Sequence, residues 1–109
     1  MKRFWFTLNL KDDSRLIAQY ISHHQNLWPE IKESIISSGI VAMEIYHVET
    51  RRIMIMEADE HFSFESKQQS DLSNKKVQEW ETLMDQYQGR LPFAKSNMKW
   101  VLMSKNFES

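Results

Sequence analysis

Tyr20, His24 and Trp28 follow one another at intervals of four. They set a phenol, an imidazole and an indole along one stretch of chain. Residues four apart on a helix share a face, so Tyr20 and His24 can project into the same space. A hydroxyl that donates hydrogen bonds, a ring that titrates near neutrality and a flat apolar surface are what a small polyol site requires. An imidazole with a reference pKa of ~6.5 can give or take a proton near neutral pH. Each residue also has a plainer use. A histidine at a helix end can hold the last carbonyls, Tyr20 suits an amphipathic core, and Trp28 can anchor the turn between two helices. His23 is the neighbouring rival. It lies about 100° around a helix from His24 and cannot share the Tyr20 face equally.

These side chains need elements to hold them. Residues 3–10 alternate, with Phe4, Phe6, Leu8 and Leu10 on one face, and read as a first strand. Lys11-Asp12-Asp13-Ser14 offers N-cap oxygens for a helix running from Arg15 to about His24. Pro29 suits a first helical turn and Glu30 favours that same end, so a second helical segment covers 30–38 and stops at Gly39. Residues 40–48 and 52–58 read as strands joined by the short link Glu49-Thr50-Arg51. In the latter, Ile53, Ile55 and Glu57 share one face, and Met54, Met56 and Ala58 the other. The Met54, Met56 and Ala58 face is too apolar to leave in water, which predicts a homodimer. Phe62-Ser63-Phe64 is ambiguous, and 67–76 reads as a solvated, exposed face. Asn74 or Ser73 caps a helix over 75–88, with the stripe Val77, Trp80, Met84 and Tyr87 and Leu83 beside it; Gly89 and Pro92 end it. Residues 98–103 are the last strand.

The order strand, helix, strand, strand, helix, strand is an α+β plan, the ferredoxin-like βαββαβ sandwich. Two such sheets packed face to face make a dimeric α/β barrel. No linker divides the chain, so 1–109 is expected to be a single domain.

Composition narrows the function classes. Charged residues are 27% and the net charge is −1, which argues against nucleic acid as a partner. With no cysteine, thiolate catalysis and disulfides are excluded, in keeping with a reducing compartment. No apolar run approaches the ~20 residues of a membrane span. The basic, apolar start Met1-Lys2-Arg3-Phe4-Trp5-Phe6 is interrupted by Thr7 and Asn9 too soon for a signal peptide, so a cytoplasmic address is expected and no membrane partner. Two glycines rule out a phosphate-binding glycine loop. His47 and His61 have no metal-ligand spacing, so no metal is expected.

The run Tyr20-x-x-x-His24-x-x-x-Trp28-Pro29-Glu30 resembles the L-rhamnose mutarotase family. The resemblance implies a cofactor-free enzyme that interconverts the two anomers of a free 6-deoxy sugar. It also implies the dimeric α/β barrel. It aligns His24 with the family's proton donor and Tyr20 with a substrate tyrosine; Trp28 suits the apolar face of a pyranose and the turn between the helices equally. Trp80 keeps the first member of a sugar-contacting Trp-Trp pair, with Glu81 at the second. Met43 stands where the rhamnose enzymes carry a sugar-contacting tyrosine, three positions before the retained Tyr46. Lys11-Asp12-Asp13, Met43-Glu44-Ile45-Tyr46, Val77-Gln78-Glu79-Trp80-Glu81 and Lys99-Trp100-Val101-Leu102-Met103 look like the L-fucose mutarotases built on the same fold. L-Fucose and L-rhamnose differ in configuration at C2 and C4, and exchanging aromatic contacts for Met43 and Glu81 is a way to re-read those hydroxyls. Rival readings are a dimeric α/β-barrel haem-binding protein or oxygenase, since fold alone does not fix function, and a non-catalytic sugar sensor.

Overall fold

Strand β1 (Lys2–Leu10) lies inside the sheet and organises it. It pairs antiparallel with β3 (Arg51–Ala58) along nearly its whole length, from Lys2 opposite Ala58 to Asn9 opposite Arg51. The computed structural model describes residues 1–89, 91 and 100–108. Along the described chain the elements are β1, helix α1 (Ser14–Gln25), helix α2 (Pro29–Ser37), strand β2 (Ile40–Val48), β3, helix α3 (Phe64–Ser73), helix α4 (Lys75–Asp85), and the short strands β4 (Gln88–Gly89) and β5 (Val101–Leu102). The sheet order is β2-β3-β1-β4, with β5 also pairing β1, and every pairing is antiparallel. This is the ferredoxin-like α+β fold.

Local chemistry explains the element ends. Asp13 accepts the amides of Arg15 (2.9 Å) and Leu16 (3.2 Å) and starts α1. Pro29 occupies the first turn of α2, where a missing N–H costs nothing. Gly39 turns the chain from α2 into β2 at φ +98°, a conformation that glycine adopts readily. Asn74 ends α3 and starts α4, its side chain accepting from the Lys76 and Val77 amides.

The period of β1 holds as read: Phe6, Leu8 and Leu10 are buried and Phe4 is half-buried. One cluster joins Leu8, Leu10, Tyr20, Ile31, Val77, Trp80, Met84 and Tyr87, so the α4 stripe is core. A second joins Phe6, Ile40, Met54, Met56, Ala58 and Phe62; Trp100 packs against both. The Met54, Met56 and Ala58 face is therefore covered by the chain's own Ile35 and Phe62, not by a second subunit. The reason given for a dimer is thereby corrected. The face left open carries Trp5, Ile53, Ile55 and Tyr46: in register Trp5 lies opposite Ile55, Ile53 opposite Thr7, and Tyr46 opposite Ile53.

Two elements differ from the sequence reading. Residues 64–73 form a helix, although α3 has no buried residue. It is held by its Ser63 cap and the Lys67–Asp71 ion pair (2.6 Å), and by Phe64, whose ring meets Phe4 edge-on at 4.7 Å. Helix α4 stops at Asp85 rather than at 88, because Gln88 and Gly89 pair with Leu10 and Asn9. Of the expected last strand, Val101–Leu102 is observed, while residues 98–99, like Pro92, lie outside the described residues.

A Cβ at position 39 would meet Asp59 Oδ1 at 2.6 Å as well as force a positive φ. Gly39→Ala is expected to lower stability by more than about 1 kcal/mol, read as a reduced urea midpoint at unchanged slope; an unmoved midpoint would refute the turn's dependence on glycine.

Candidate active site

Helix α1 brings Tyr20, His23 and His24 over the β1 side of the sheet, and the chain entering α2 adds Trp28. Helix α4 contributes Trp80 from the opposite wall. The rings close on one another. Tyr20 and His24 have centroids 4.4 Å apart, His24 and Trp80 5.5 Å, and Trp28 and Trp80 5.3 Å, the last two edge to face. Four residues singled out in the sequence thus meet in one aromatic cluster. Lys76 lies 6.0 Å over the Trp28 ring.

The protonation of His24 follows from its partner. Its Nδ1 lies 3.0 Å from the Tyr20 carbonyl oxygen, which can only accept. Nδ1 therefore carries the proton, and in the neutral ring Nε2 presents a lone pair. Holding a carbonyl of the last turn and offering a base are, in this geometry, the work of one imidazole. Burial pushes the His24 pKa below its ordinary value; the Tyr20 carbonyl opposes this, and His23 and Arg52 add to the lowering.

Tyr20 is 2% exposed, and burial pushes its phenol up to about 12 against the pull of the Arg52 charge and the Gln88 side chain. Its hydroxyl is neutral at any physiological pH and available as a donor. His23 is closer to the cluster than its helical offset suggested. Its Nε2 is 3.0 Å from the Tyr87 hydroxyl, and its ring meets Trp80 edge-on at 6.4 Å.

Three expected residues are not brought to these rings. Met43 faces the helices but packs on the second cluster, beside Met56. Tyr46 lies on the sheet's open face, 55% exposed, hydrogen-bonded to Glu44. Glu81 follows Trp80 on the exposed side of α4. Conversely, sequence reasoning passed over Arg52. It lies opposite Leu8 on the covered face of β3, is 1% exposed, and its guanidinium carbon is 5.7 Å from the Tyr20 ring centroid. The signal was present: period two puts Arg52 on the same face as Met54, Met56 and Ala58.

Two cavities lie elsewhere. One of about 700 Å³ is lined by Arg3, Trp5, Glu57 and Leu102, and one of about 480 Å³ by Ser38, Asp59, His61 and Lys67. Neither holds the cluster's perturbed groups, Tyr20, His24 and Arg52; the chemistry points to the rings. Among the described residues no three His, Asp or Glu side chains gather as a metal site, and no helix is long and apolar enough to cross a membrane.

The fold is that of a ferredoxin-like protein, with a half-buried histidine–aromatic cluster between helices and sheet. The L-rhamnose mutarotase family model matches residues 3–109, and the chain belongs to that family of isomerases. An L-fucose mutarotase from Xanthomonas campestris pv. campestris is 35% identical over 102 residues, covering 92% of this chain and 82% of that protein. The crystal structure of an L-rhamnose mutarotase from Formosa agariphila superposes with a TM-score of 0.73 at 17% identity, covering 100% of this chain and 99% of that one. Tetracenomycin F2 cyclase from Streptomyces glaucescens, a type-II polyketide cyclase, shares the fold at a TM-score of 0.63 and 13% identity, over 100% and 99% of the two chains.

The His24 geometry has a measurable consequence. Imidazole ¹⁵N shifts should report the Nδ1–H tautomer, with a titration midpoint below ~6.5. Because the folded state disfavours the charged ring, the stability this histidine contributes is full above about pH 6.5 and is lost as pH falls through its folded pKa. Urea midpoints of wild type and His24→Asn should therefore converge between about pH 7.5 and about pH 5. A constant gap, or an ordinary midpoint, would contradict the burial.

Proposed function

We propose that this chain interconverts the α and β anomers of L-fucose, or of a closely similar 6-deoxy sugar, by acid/base ring opening at His24. The observation that supports this most is the half-buried His24 imidazole, fixed through Nδ1 with its pKa lowered by burial, its ring meeting Trp80 edge-on and Trp80 in turn meeting Trp28. Nε2 takes the proton of the anomeric hydroxyl, the bond between the anomeric carbon and the ring oxygen breaks, and the same proton is delivered to the ring oxygen. Both oxygens are bonded to one carbon, so one imidazole reaches both. Rotation about C1–C2 and the reverse steps close the ring as the other anomer. Proton transfer alone balances the reaction, so the reading requires no cofactor or metal. Tyr20 orients a hydroxyl, and Trp28 and Trp80 cover the apolar faces of the sugar. Glu81, next to Trp80, is the carboxylate we assign to sugar discrimination at the rim; we leave out of that task Met43, which packs on the second cluster, and Tyr46, which is on the open face. L-Fucose is preferred over L-rhamnose on the Xanthomonas relative. We assign the chain as one mutarotase domain, 1–109, acting in the cytoplasm, where a cysteine-free chain needs no oxidising compartment.

Two copies would pack through the sheet's open face. Trp5, Ile53, Ile55 and Tyr46 make a contiguous apolar surface on a sheet whose other face is already buried, and such surfaces mark association sites. Sedimentation at micromolar concentration should show a dimer, and Ile55→Asp a monomer; wild type running only as a 13.1 kDa species would overturn the assembly.

Anomer-exchange NMR tests the chemistry. We expect exchange faster with L-fucose than with L-rhamnose, narrowed by Glu81→Gln. His24→Ala should lose on the order of 10²-fold or more, while His23→Ala keeps most activity. Equal losses in the two histidine variants would displace His24; wild type that accelerates exchange of no sugar would refute the function.

A further inference from the structure

Two polar atoms lie buried without a hydrogen-bond partner among the described residues, the Tyr20 hydroxyl and Arg52 Nη2. Gln88 is near enough to influence Tyr20 but does not meet its hydroxyl in hydrogen-bonding geometry. Buried donors are almost always satisfied, and an unsatisfied pair in one place calls for a specific cause. Here the two belong to adjoining side chains, with the Arg52 guanidinium 5.7 Å from the Tyr20 ring centroid. The other terminal nitrogen is occupied. Nη1 donates to the Glu49 carbonyl at 3.1 Å and the Arg51 carbonyl at 3.4 Å, and so fixes the head group from behind. An anchored guanidinium with one nitrogen left over is a preorganised donor. Arg52 is also enclosed, at 1% exposure, so solvent does not meet that donor from outside.

We propose that Arg52 is a substrate-binding residue: with the Tyr20 hydroxyl, its Nη2 holds one oxygen of the sugar on the sheet side of the aromatic cluster. This rests on the mutarotase reading above. A neutral sugar hydroxyl fits because it is acceptor and donor at once, taking the Nη2 proton while facing the neutral phenol. A carboxylate or phosphate is a poorer match, since among the described residues Arg52 is the one cation set against the Tyr20 ring, and Lys76 lies on the far side over Trp28. The contact fixes which oxygens face His24 and makes the site discriminate at one hydroxyl, because losing that hydroxyl re-creates the buried unpaired donor.

The test is a cycle between protein and sugar. Binding of the best-exchanged sugar and of its monodeoxy analogues is measured by chemical-shift titration for wild type, Arg52→Gln and Arg52→Lys, with thermal midpoints recorded. Arg52→Gln should weaken binding at least about tenfold and raise KM more than it lowers kcat, with Arg52→Lys recovering part. Removing one particular hydroxyl should cost wild type as much and cost Arg52→Gln nothing further. Equal penalties for every analogue in both proteins would make Arg52 a hairpin clamp only and overturn the proposal, as would unchanged affinity. Should Arg52→Gln fail to fold, the wild-type Arg52 side-chain ¹⁵N resonances decide: they shift on saturation with sugar, and an unmoved signal overturns it. Wild type that exchanges sugars while Arg52 is indifferent defeats this assignment alone. Wild type that exchanges and binds none defeats the mutarotase reading and this assignment with it.

Discussion

The placement of the Tyr20 ring between α1 and the sheet is the constraint on which the site depends. The ring packs with Leu8 and Leu10 of β1 and with Met84 and Tyr87, and so fixes the rotation of α1. Once that rotation is fixed, the residue's three ends act separately. The carbonyl sets the His24 tautomer, the ring lies between the imidazole at 4.4 Å and the Arg52 guanidinium at 5.7 Å, and the hydroxyl is buried without a partner among the described residues. Burying a large side chain contributes on the order of 2 kcal/mol, while a buried hydroxyl or guanidinium nitrogen left unpaired costs about 1–3 kcal/mol. The two are comparable, so the fold gains little from these polar groups by themselves. A ligand that pairs them recovers what the fold gives up.

The sheet divides the labour between its faces. Towards the helices, β1 and β3 alternate Phe6, Leu8, Met54 and Met56, with Arg52 as the single charged intrusion into that buried face among the described residues of β3. Away from them, the same two strands present Trp5, Ile53 and Ile55. A slip of one residue in the β1–β3 register would exchange the faces and remove Arg52 from Tyr20. The long antiparallel pairing of these strands is what makes such a slip costly.

Much of this was legible in the chain, and the failures have identifiable causes. Period two gave β1, β2 and β3, and the spacing of Val77, Trp80, Met84 and Tyr87 gave the buried face of α4. The Asp13, Pro29, Gly39 and Asn74 signals marked ends because each satisfies a backbone need locally. Helix α3 was not legible because its stabilisation is polar and tertiary: an ion pair, a serine cap and one phenylalanine, with no apolar stripe to reveal it. The end of α4 was misjudged because Gln88 and Gly89 are drawn to the edge of β1, a partner nearly eighty residues away in sequence. Tyr20, His24, Trp28 and Trp80 were legible as a group. Met43 and Tyr46 separate because neighbours at odd spacing in a strand point to opposite faces: one enters the core and the other the open surface.

Arg52 shows why a site's electrostatics are harder to read than its aromatics. A tryptophan announces burial by its type, whereas an arginine at the start of a strand reads as a solvated end. Its burial depends on Leu8 across the ladder, on Tyr20 above it and on the Glu49 and Arg51 carbonyls behind it, and these come from three parts of the sequence. The same cation bears on both Tyr20 and His24. It opposes the rise in the phenol and adds to the fall in the imidazole. A neutral histidine is a competent base at neutral pH, and a positive charge nearby keeps it so without contacting it. The buried arginine thus links the two sides of the cluster: a guanidinium anchored on the sheet, and an imidazole on the helix whose charged form it disfavours.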